Sequence, residues 1–159
     1  MTAAARKATY ADIEALPEHV TGEIIDGVLY TQARPALPHG SVASGLNALL
    51  DGPGGFGKTG PGGWIFHFEP ELHFGEDVLV PDLAAWRSER LPPPARRGAF
   101  SSIAPDWVCE VASPSTSMRD RRIKSPVYAR VGVSHLWLVE PTLFRVEAFE
   151  RQDTRWLVT

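Results

Sequence analysis

A strand–helix–strand pattern in the C-terminal half of the chain constrains the fold more than any other feature of the sequence. Residues 106–112 form a β-type run, residues 117–131 follow mostly helical periodicity, and residues 134–140 form a second run rich in Leu, Trp and Val. This segment has the length of a crossover between two parallel strands. Because further strands lie in the middle of the chain, with helices before and after them, we expect an α/β fold with a mixed β-sheet rather than a β-sandwich.

The rest of the chain predicts shorter elements around this sheet. Thr9 is a suitable N-cap for a short helix, and Asp26-Gly27 between apolar residues predicts a tight hairpin. No repeat or linker divides the chain, so residues 1–159 are expected to form one domain. Further helical or strand-like segments are residues 41–50, 64–68, 71–74, 78–86, 144–149 and 155–159.

The composition is that of an ordinary globular chain. Its 43% hydrophobic residues and net charge of −3 exclude disorder throughout. The single cysteine, Cys109, rules out a disulfide framework and a zinc site built from cysteines, and it suits a reducing cytoplasm. No apolar stretch approaches the roughly 18 residues of a membrane span, and no signal peptide is recognisable, so we expect a cytoplasmic protein without membrane contact. The slightly acidic balance argues against general non-specific binding to nucleic acid and leaves a local basic patch open.

The segment between Gly52 and Thr59 matches the phosphate-loop pattern GxxxxGK[ST], but its context argues against nucleotide binding. The pattern binds phosphates where it connects a strand to the N-terminus of a helix. Here the preceding residues have helical spacing, and the glycine- and proline-rich residues 60–63 cannot open a helix. A glycine-rich loop over residues 52–63 is therefore the favoured interpretation.

Two acidic residues interrupt apolar, strand-like runs. Asp82 lies within residues 78–86 and Glu110 within residues 107–112, where strand alternation places it on the same face as Val108. A carboxylate in a buried strand is costly to desolvate unless it is paired or binds a metal ion. Carboxylate oxygens suit hard cations, so Asp82 and Glu110 are the candidate ligands of Mg²⁺ or Mn²⁺.

Glu23, at the start of the first hairpin, is a third candidate acid. A divalent ion held by these acids could activate water and neutralise charge on a phosphodiester, while a nearby ammonium could stabilise the transition state. Taken singly, each acid is equally well explained as one half of a structural ion pair. The residues alone leave both interpretations open.

Several segments together resemble the Uma2-like (DUF820) family, a branch of the PD-(D/E)XK nuclease superfamily. The resemblance extends over nearly the whole chain, and its most specific parts are E-V-A-S-P-S-T in residues 110–116 and Y-A-R-V-G-V in residues 128–133. It implies a restriction-endonuclease-like fold and a metal-dependent endonuclease that hydrolyses phosphodiester bonds of DNA. These two parts belong to longer matching segments, residues 105–116 and 124–140, and the other matching segments are residues 23–29, Pro38-His39 and residues 80–83.

The resemblance also implies a role for individual residues. Asp82 corresponds to the superfamily's metal-binding aspartate, and Glu110 to the first acid of its (D/E)xK motif. The lysine of that motif would stand at position 112, which here is Ala112. Lys124 in the following helix takes its place, to orient water or stabilise charge. Glu23 would be an accessory acid.

Pro126 affects how Lys124 is presented, since proline either kinks a helix or starts a new one, here after Ser125. Together with Ala112, it supports a second hypothesis, a catalytically impaired binding or regulatory module on a nuclease fold. By resemblance His39 lies near the site, and a cap-adjacent surface histidine is the alternative. The basic residues 119–124 form a solvated helix face or contact phosphates. Nucleases of this fold often pair, so a homodimer is a further expectation.

Overall fold

The computed structural model describes residues 6–33, 37–54, 62–113 and 117–159. Its helical segments are α1 (Tyr10–Glu14), α2 (Leu37–Gly54), α3 (Ser117–Arg119) and α4 (Ser125–Val131), with a π-helical turn, Asp120–Lys124, between α3 and α4. Its strands are β1 (Val20–Ile25), β2 (Val28–Ala33), β3 (Trp64–Phe68), β4 (Leu72–Phe74), β5 (Asp77–Leu79), β6 (Leu83–Arg87), β7 (Trp107–Val111), β8 (His135–Glu140), β9 (Arg145–Gln152) and β10 (Arg155–Val158).

The first elements form as their local sequence predicts. Thr9 and Asp12 make a capping box at the start of α1, with the Thr9 amide donating to the Asp12 carboxylate at 2.7 Å. Strands β1 and β2 pair in antiparallel fashion around Asp26 and Gly27. Both turn residues have positive φ, 51° and 80°, as a type I′ hairpin turn requires.

The strands are arranged in two sheets. The smaller sheet has the order β2-β1-β5-β4, and the larger has the order β10-β9-β8-β7-β6-β3. Strands β7 and β8 run parallel, whereas the other paired strands of the described residues run antiparallel. The parallel pair is joined by α3, the π-helical turn and α4, which confirms the strand–helix–strand crossover and the mixed α/β fold.

Each face of the larger sheet is covered by a different layer. On one face, Val108 and Trp86 belong to a core shared with α4 and with the smaller sheet. On the other face, Cys109 and Val111 pack in a second core with α2. This alternation along β7 confirms that Glu110 shares a face with Val108, and therefore points toward α4.

The extended run over residues 78–86, which Pro81 interrupts in the sequence, is divided there into two strands. It divides at Val80 and Pro81 into β5, which belongs to the smaller sheet, and β6, which belongs to the larger. Proline has no amide hydrogen for a ladder, so a strand commonly ends there. As a result, Asp82 lies where the chain passes from one sheet to the other.

The helix over residues 117–131 also differs from a regular α-helix. Its middle is the π-helical turn, and Pro126 occupies the first turn of α4, where a missing amide hydrogen is tolerated. The backbone stays in the right-handed helical conformation at Lys124 and Ser125, so the π-helical turn continues directly into α4, which starts at Ser125. Lys124 is the last residue of the π-helical turn, and its side chain is buried.

Helix α2 is longer than the predicted residues 41–50, because it extends through Gly54. The expected loop over residues 52–63 is therefore wrong at its start, and residues 55–61 lie outside the described part of the chain. Across the described ranges, no helix combines the length and the apolar character needed to cross a bilayer.

Candidate active site

Glu110 is held at the centre of the site by two donors. Strand β7 directs its side chain toward α4, and only 3% of the residue is exposed. The hydroxyl of Tyr128 donates to Glu110 Oε1 at 2.5 Å, and the Lys124 ammonium lies 2.7 Å from the same oxygen. Burial raises the pKa of the Glu110 carboxyl well above its usual range, and the opposing charge of Lys124 does not outweigh this effect.

The ammonium of Lys124 is completely enclosed by acceptors. The residue is 1% exposed, and its Nζ lies 2.7 Å from Glu110 Oε1, 2.9 Å from Glu23 Oε1 and 3.1 Å from the carbonyl oxygen of Val80. An ammonium carries three N–H donors, so all of them are engaged. Although burial alone would lower the pKa of Lys124, the surrounding carboxylates raise it, and the side chain stays charged.

Glu23 connects β1 to this cluster. Its Oε1 accepts from the Val80 amide at 2.8 Å as well as from Lys124. Its Oε2 is buried and has no hydrogen-bond partner among the described residues, and the guanidinium of Arg119 lies 3.7 Å from it. Arg119 in turn donates to the side-chain oxygen of Gln32 on β2. One oxygen of Glu23 is therefore used in the cluster, and the other lacks a donor.

Asp82 directly precedes β6, the strand that pairs with β7. The β6–β7 register pairs Leu83 with Cys109, so its continuation by one residue places Asp82 opposite Glu110. The amide of Val111 donates to Asp82 Oδ2 at 2.6 Å, and His39 Nε2 lies 3.2 Å from Oδ1. The hydrogen bond to Asp82 raises the pKa of His39. The hydrogen bond from the Val111 amide of β7 fixes the orientation of the Asp82 carboxylate.

The donor set fits a hard divalent cation. Mg²⁺ in proteins usually takes one or two carboxylates and completes its shell with water and substrate oxygens. Within the described ranges, no three His, Cys, Asp or Glu side chains are placed to share one ion, so a cage made only of protein is not present there. Among the described residues of the site, three buried acids, Glu23, Asp82 and Glu110, face two full cations, Lys124 and Arg119, and the imidazole of His39 lies beside Asp82. A divalent ion would reduce this excess of negative charge.

A cavity of about 320 Å³ opens beside Glu110. It lies between the π-helical turn and the β8–β9 pair, and Ala112 contributes to its wall. A small side chain at position 112 leaves this space open, and the ammonium that the (D/E)xK motif would place there reaches Glu110 from Lys124 instead. Glu110 therefore lines the cavity, whereas Lys124 is not among its lining residues.

Comparisons with known proteins agree with this geometry. The family model Uma2, described as "Putative restriction endonuclease", matches residues 8–159. The chain belongs to the Uma2 family. A solved structure from Anabaena variabilis, described as a putative nuclease belonging to DUF820, is 22% identical, with a TM-score of 0.77 over 95% of this chain and 83% of that chain. Comparison with curated proteins found no match.

Membership in Uma2 confirms the resemblance, and the Anabaena structure confirms the restriction-endonuclease-like fold. At the level of the family, the chain is nuclease-like. The structure brings Glu23, Glu110 and Lys124 into direct contact and places Asp82 next to Glu110. The catalytic and metal-binding roles of these four residues stay predictions.

Two groups of the Uma2 site were not assigned a role from the sequence. The first is Tyr128, which stands four residues after Lys124 and therefore on the same helical face, a spacing that the sequence displays. The second is the Val80 backbone, which bonds both Glu23 and Lys124. No sequence signal could have found it, because a backbone contact of this kind depends on how β5 meets β1 and the π-helical turn.

The phosphate-loop pattern contributes nothing to the described site. Gly52 lies near the end of α2, so a helix and not a strand precedes the pattern. Lys58 and Thr59 lie outside the described residues. The helix before the pattern agrees with the interpretation that this segment is not a nucleotide-binding loop.

Proposed function

We propose that the protein is a Mg²⁺- or Mn²⁺-dependent endonuclease that hydrolyses phosphodiester bonds of DNA. The observation that carries this proposal is the placement of Glu110 on β7 against the buried Lys124 ammonium, with Asp82, which directly precedes antiparallel β6, hydrogen-bonded by the amide of the next residue, Val111. Membership in a family described as restriction endonucleases supports nucleic acid as the substrate.

Asp82 and Glu110 are the residues that would hold the ion. When bound, it would supply an activated water and neutralise charge on the scissile phosphate. Because Tyr128 and Lys124 both donate to Oε1 of Glu110, the carboxylate is fixed in one orientation before any substrate arrives. Such preorganisation reduces the reorganisation needed during the reaction.

Lys124 and Glu23 support this pair. Of the two functions predicted for Lys124, the geometry favours charge stabilisation over the orientation of water, since its three donors are already engaged. Glu23 holds Lys124 in place from the opposite sheet. We therefore assign Glu23 an accessory role, acting through Lys124.

The test is cleavage of a supercoiled plasmid with added Mg²⁺ or Mn²⁺, with Asp82→Asn and Glu110→Gln as the diagnostic variants. Each removes one charge and preserves shape. We expect both to lose more activity than the ~10–100-fold that is typical when a residue only supports a metal ligand. The matched control is Glu150→Gln, the same chemical change at an exposed position of β9.

Wild type and Glu150→Gln should cleave at equal rates, and EDTA should stop both. Equal activity in Asp82→Asn, Glu110→Gln and wild type would overturn the proposal, because it would identify the cleavage as a contaminant or the site as misassigned. Circular dichroism of each variant establishes that the loss does not arise from unfolding.

A binding or regulatory module on the same nuclease fold is the second candidate. The observation that favours it is the closed cluster around Lys124, in which a buried lysine and a carboxyl of raised pKa satisfy one another without metal. It predicts no heat of Mg²⁺ binding by calorimetry and no cleavage. Mg²⁺ binding that disappears in Asp82→Asn would count against it.

We also propose a cytoplasmic location and self-association as a homodimer. The single cysteine is buried, which suits a reducing compartment. Multi-angle light scattering of the purified protein should give about twice the chain mass of 17.4 kDa. A mass of one chain at micromolar concentration would contradict the homodimer.

A further inference from the structure

The cavity beside Glu110 carries an inference that rests on the proposed function and extends it to substrate binding. Its volume of about 320 Å³ lies within the ~300–1,000 Å³ typical of ligand pockets. Glu110 and Ala112 are among its lining residues, together with arginines of the π-helical turn and charged residues of β8 and β9. A candidate metal ligand therefore forms part of the cavity wall.

Most charges that line the cavity compensate one another. Arg145 pairs with Glu140 at 2.7 Å and approaches Glu147 at 3.7 Å, and Arg121 pairs with Glu147. The remaining basic residue of the lining is Arg122. Its side chain is exposed.

Arg122 is left without a counter-ion. Within the described part of the chain, its side chain makes no ion pair or hydrogen bond. A solvated, unpaired guanidinium is ready to bind a phosphate through two parallel N–H donors. Lys124, the other cation predicted to act on substrate, cannot do so in this state because its ammonium is enclosed and fully bonded.

We infer that this cavity receives the phosphodiester backbone of the substrate strand, and that Arg122 binds a phosphate next to the scissile bond. The apolar side chains of the lining, Met118, Leu138 and Val139, offer contact to sugar or base. Arg122 thus positions the strand against Glu110, and Lys124 acts only through Glu110. Substitution of Arg122 should therefore affect DNA binding, and substitution of Lys124 should affect cleavage.

The experiment measures binding of a fluorescent DNA duplex at several KCl concentrations in EDTA, so that no cleavage occurs. Each phosphate contact contributes about 0.9 to the slope of log K against log salt concentration. We expect Arg122→Gln to lower the slope of the wild type by about 0.9 and to raise KM for cleavage without a comparable loss of kcat. Lys124→Met, under conditions in which circular dichroism shows it to be folded, should leave the binding slope unchanged and abolish cleavage.

Arg155→Gln is the matched control. Arg155 is also exposed, and the β9–β10 register pairs it with Gln152, five residues along β9 from Glu147, the nearest lining residue on that strand. At ~3.3 Å per residue this is a separation of about 17 Å. The control should bind and cleave as the wild type does.

The outcomes separate the two proposals. If the wild type binds and cleaves DNA and Arg122→Gln keeps the wild-type slope, the inference about the cavity is wrong and the nuclease stands. A slope that falls equally in Arg155→Gln also overturns the inference, since the effect would then come from overall charge. If the wild type neither binds nor cleaves DNA, the proposed function fails, and this inference fails with it.

Discussion

At the scale of single residues, the site depends on Glu110, a carboxylic acid whose burial disfavours its charged form. Glu110 receives two donors on one oxygen, yet burial still raises the pKa of its carboxyl. In the metal-free protein the neutral acid is therefore favoured over a wider pH range than in an unfolded chain. Metal binding requires the ionised form, so it should release a proton and strengthen as pH rises.

The raised pKa predicts how stability depends on pH. The folded protein keeps the proton of Glu110 at pH values where the unfolded chain, with a pKa of about 4.3, has released it. The free energy of unfolding is thereby lowered as pH rises from the unfolded pKa through the folded one. Glu110→Gln removes this pH-dependent loss of stability. In urea unfolding with EDTA, the free energy of unfolding of the variant relative to wild type should therefore rise by up to about 1.4 kcal/mol per pH unit in that interval.

The difference between variant and wild type is the informative quantity, because a constant offset arises from the changed pairing of Lys124. The charges that face Glu110 are Lys124, Asp120, Asp82 and Glu23. Glu150→Gln on the surface should follow the wild type at every pH. A difference that stays flat from pH 4 to pH 8 would contradict the raised pKa.

At the scale of elements, the backbone of the helical crossover between β7 and β8 determines the position of Lys124. The π-helical turn ends at Lys124, and Pro126 lies in the first turn of α4. Helix α4 ends at Gly132, which adopts a left-handed conformation with φ of 95° and sets the direction into β8. The backbone, more than side-chain packing, ends this helix.

Substitution of Gly132 tests that backbone requirement. No atom lies within 4 Å of a Cβ added there, so Gly132→Ala changes conformational energy without a steric clash. We expect a loss of about 1 kcal/mol in the free energy of unfolding, measured in urea.

Gly45→Ala is the matched control, since Gly45 is an exposed residue of α2 that also has open space around its Cβ position. Alanine is favoured over glycine within a helix, so this variant should gain up to about 1 kcal/mol. A loss of equal size in both variants would show that the conformation of Gly132 is not the cause.

At the scale of the whole molecule, Lys124 joins parts of the chain that are far apart in sequence. Glu23 comes from the smaller sheet, Glu110 from the larger sheet and Lys124 from the crossover between β7 and β8. The ammonium therefore links both sheets and the helical layer. The same contacts that arrange the candidate site also stabilise the packing of these layers.

Removal of Lys124 should consequently be strongly destabilising. Lys124→Met leaves Glu23 and Glu110 buried without their shared cation, and breaking a buried pair in this way costs about 3–5 kcal/mol. Urea unfolding at pH 7 checks the loss. Lys7→Met is the control, because its side chain is 75% exposed and its ion pair with Glu76 is on the surface; the expected change is at most about 1 kcal/mol. Similar stability of the two variants would contradict a linking role for Lys124.

Local patterns in the sequence determined most of the elements. Turn chemistry at Asp26 and Gly27 specified the first hairpin, and the change from strand to helical periodicity specified the β7–β8 crossover. Alternation along β7 correctly placed Glu110 on the face of Val108. These features follow from short-range geometry, which depends only on neighbouring residues.

Tertiary structure decided what the residues do for one another. The run around Pro81 divides between two sheets, and the Lys124 ammonium is shared by Glu23 and Glu110, because strand pairing over long sequence separations brings β1, β5 and β7 around one point. The sequence by itself determined which residues are acidic, basic and strand-forming. Only the folded chain decided that Lys124 is enclosed and Arg122 exposed, since burial and pairing belong to the assembled layers and not to any segment alone.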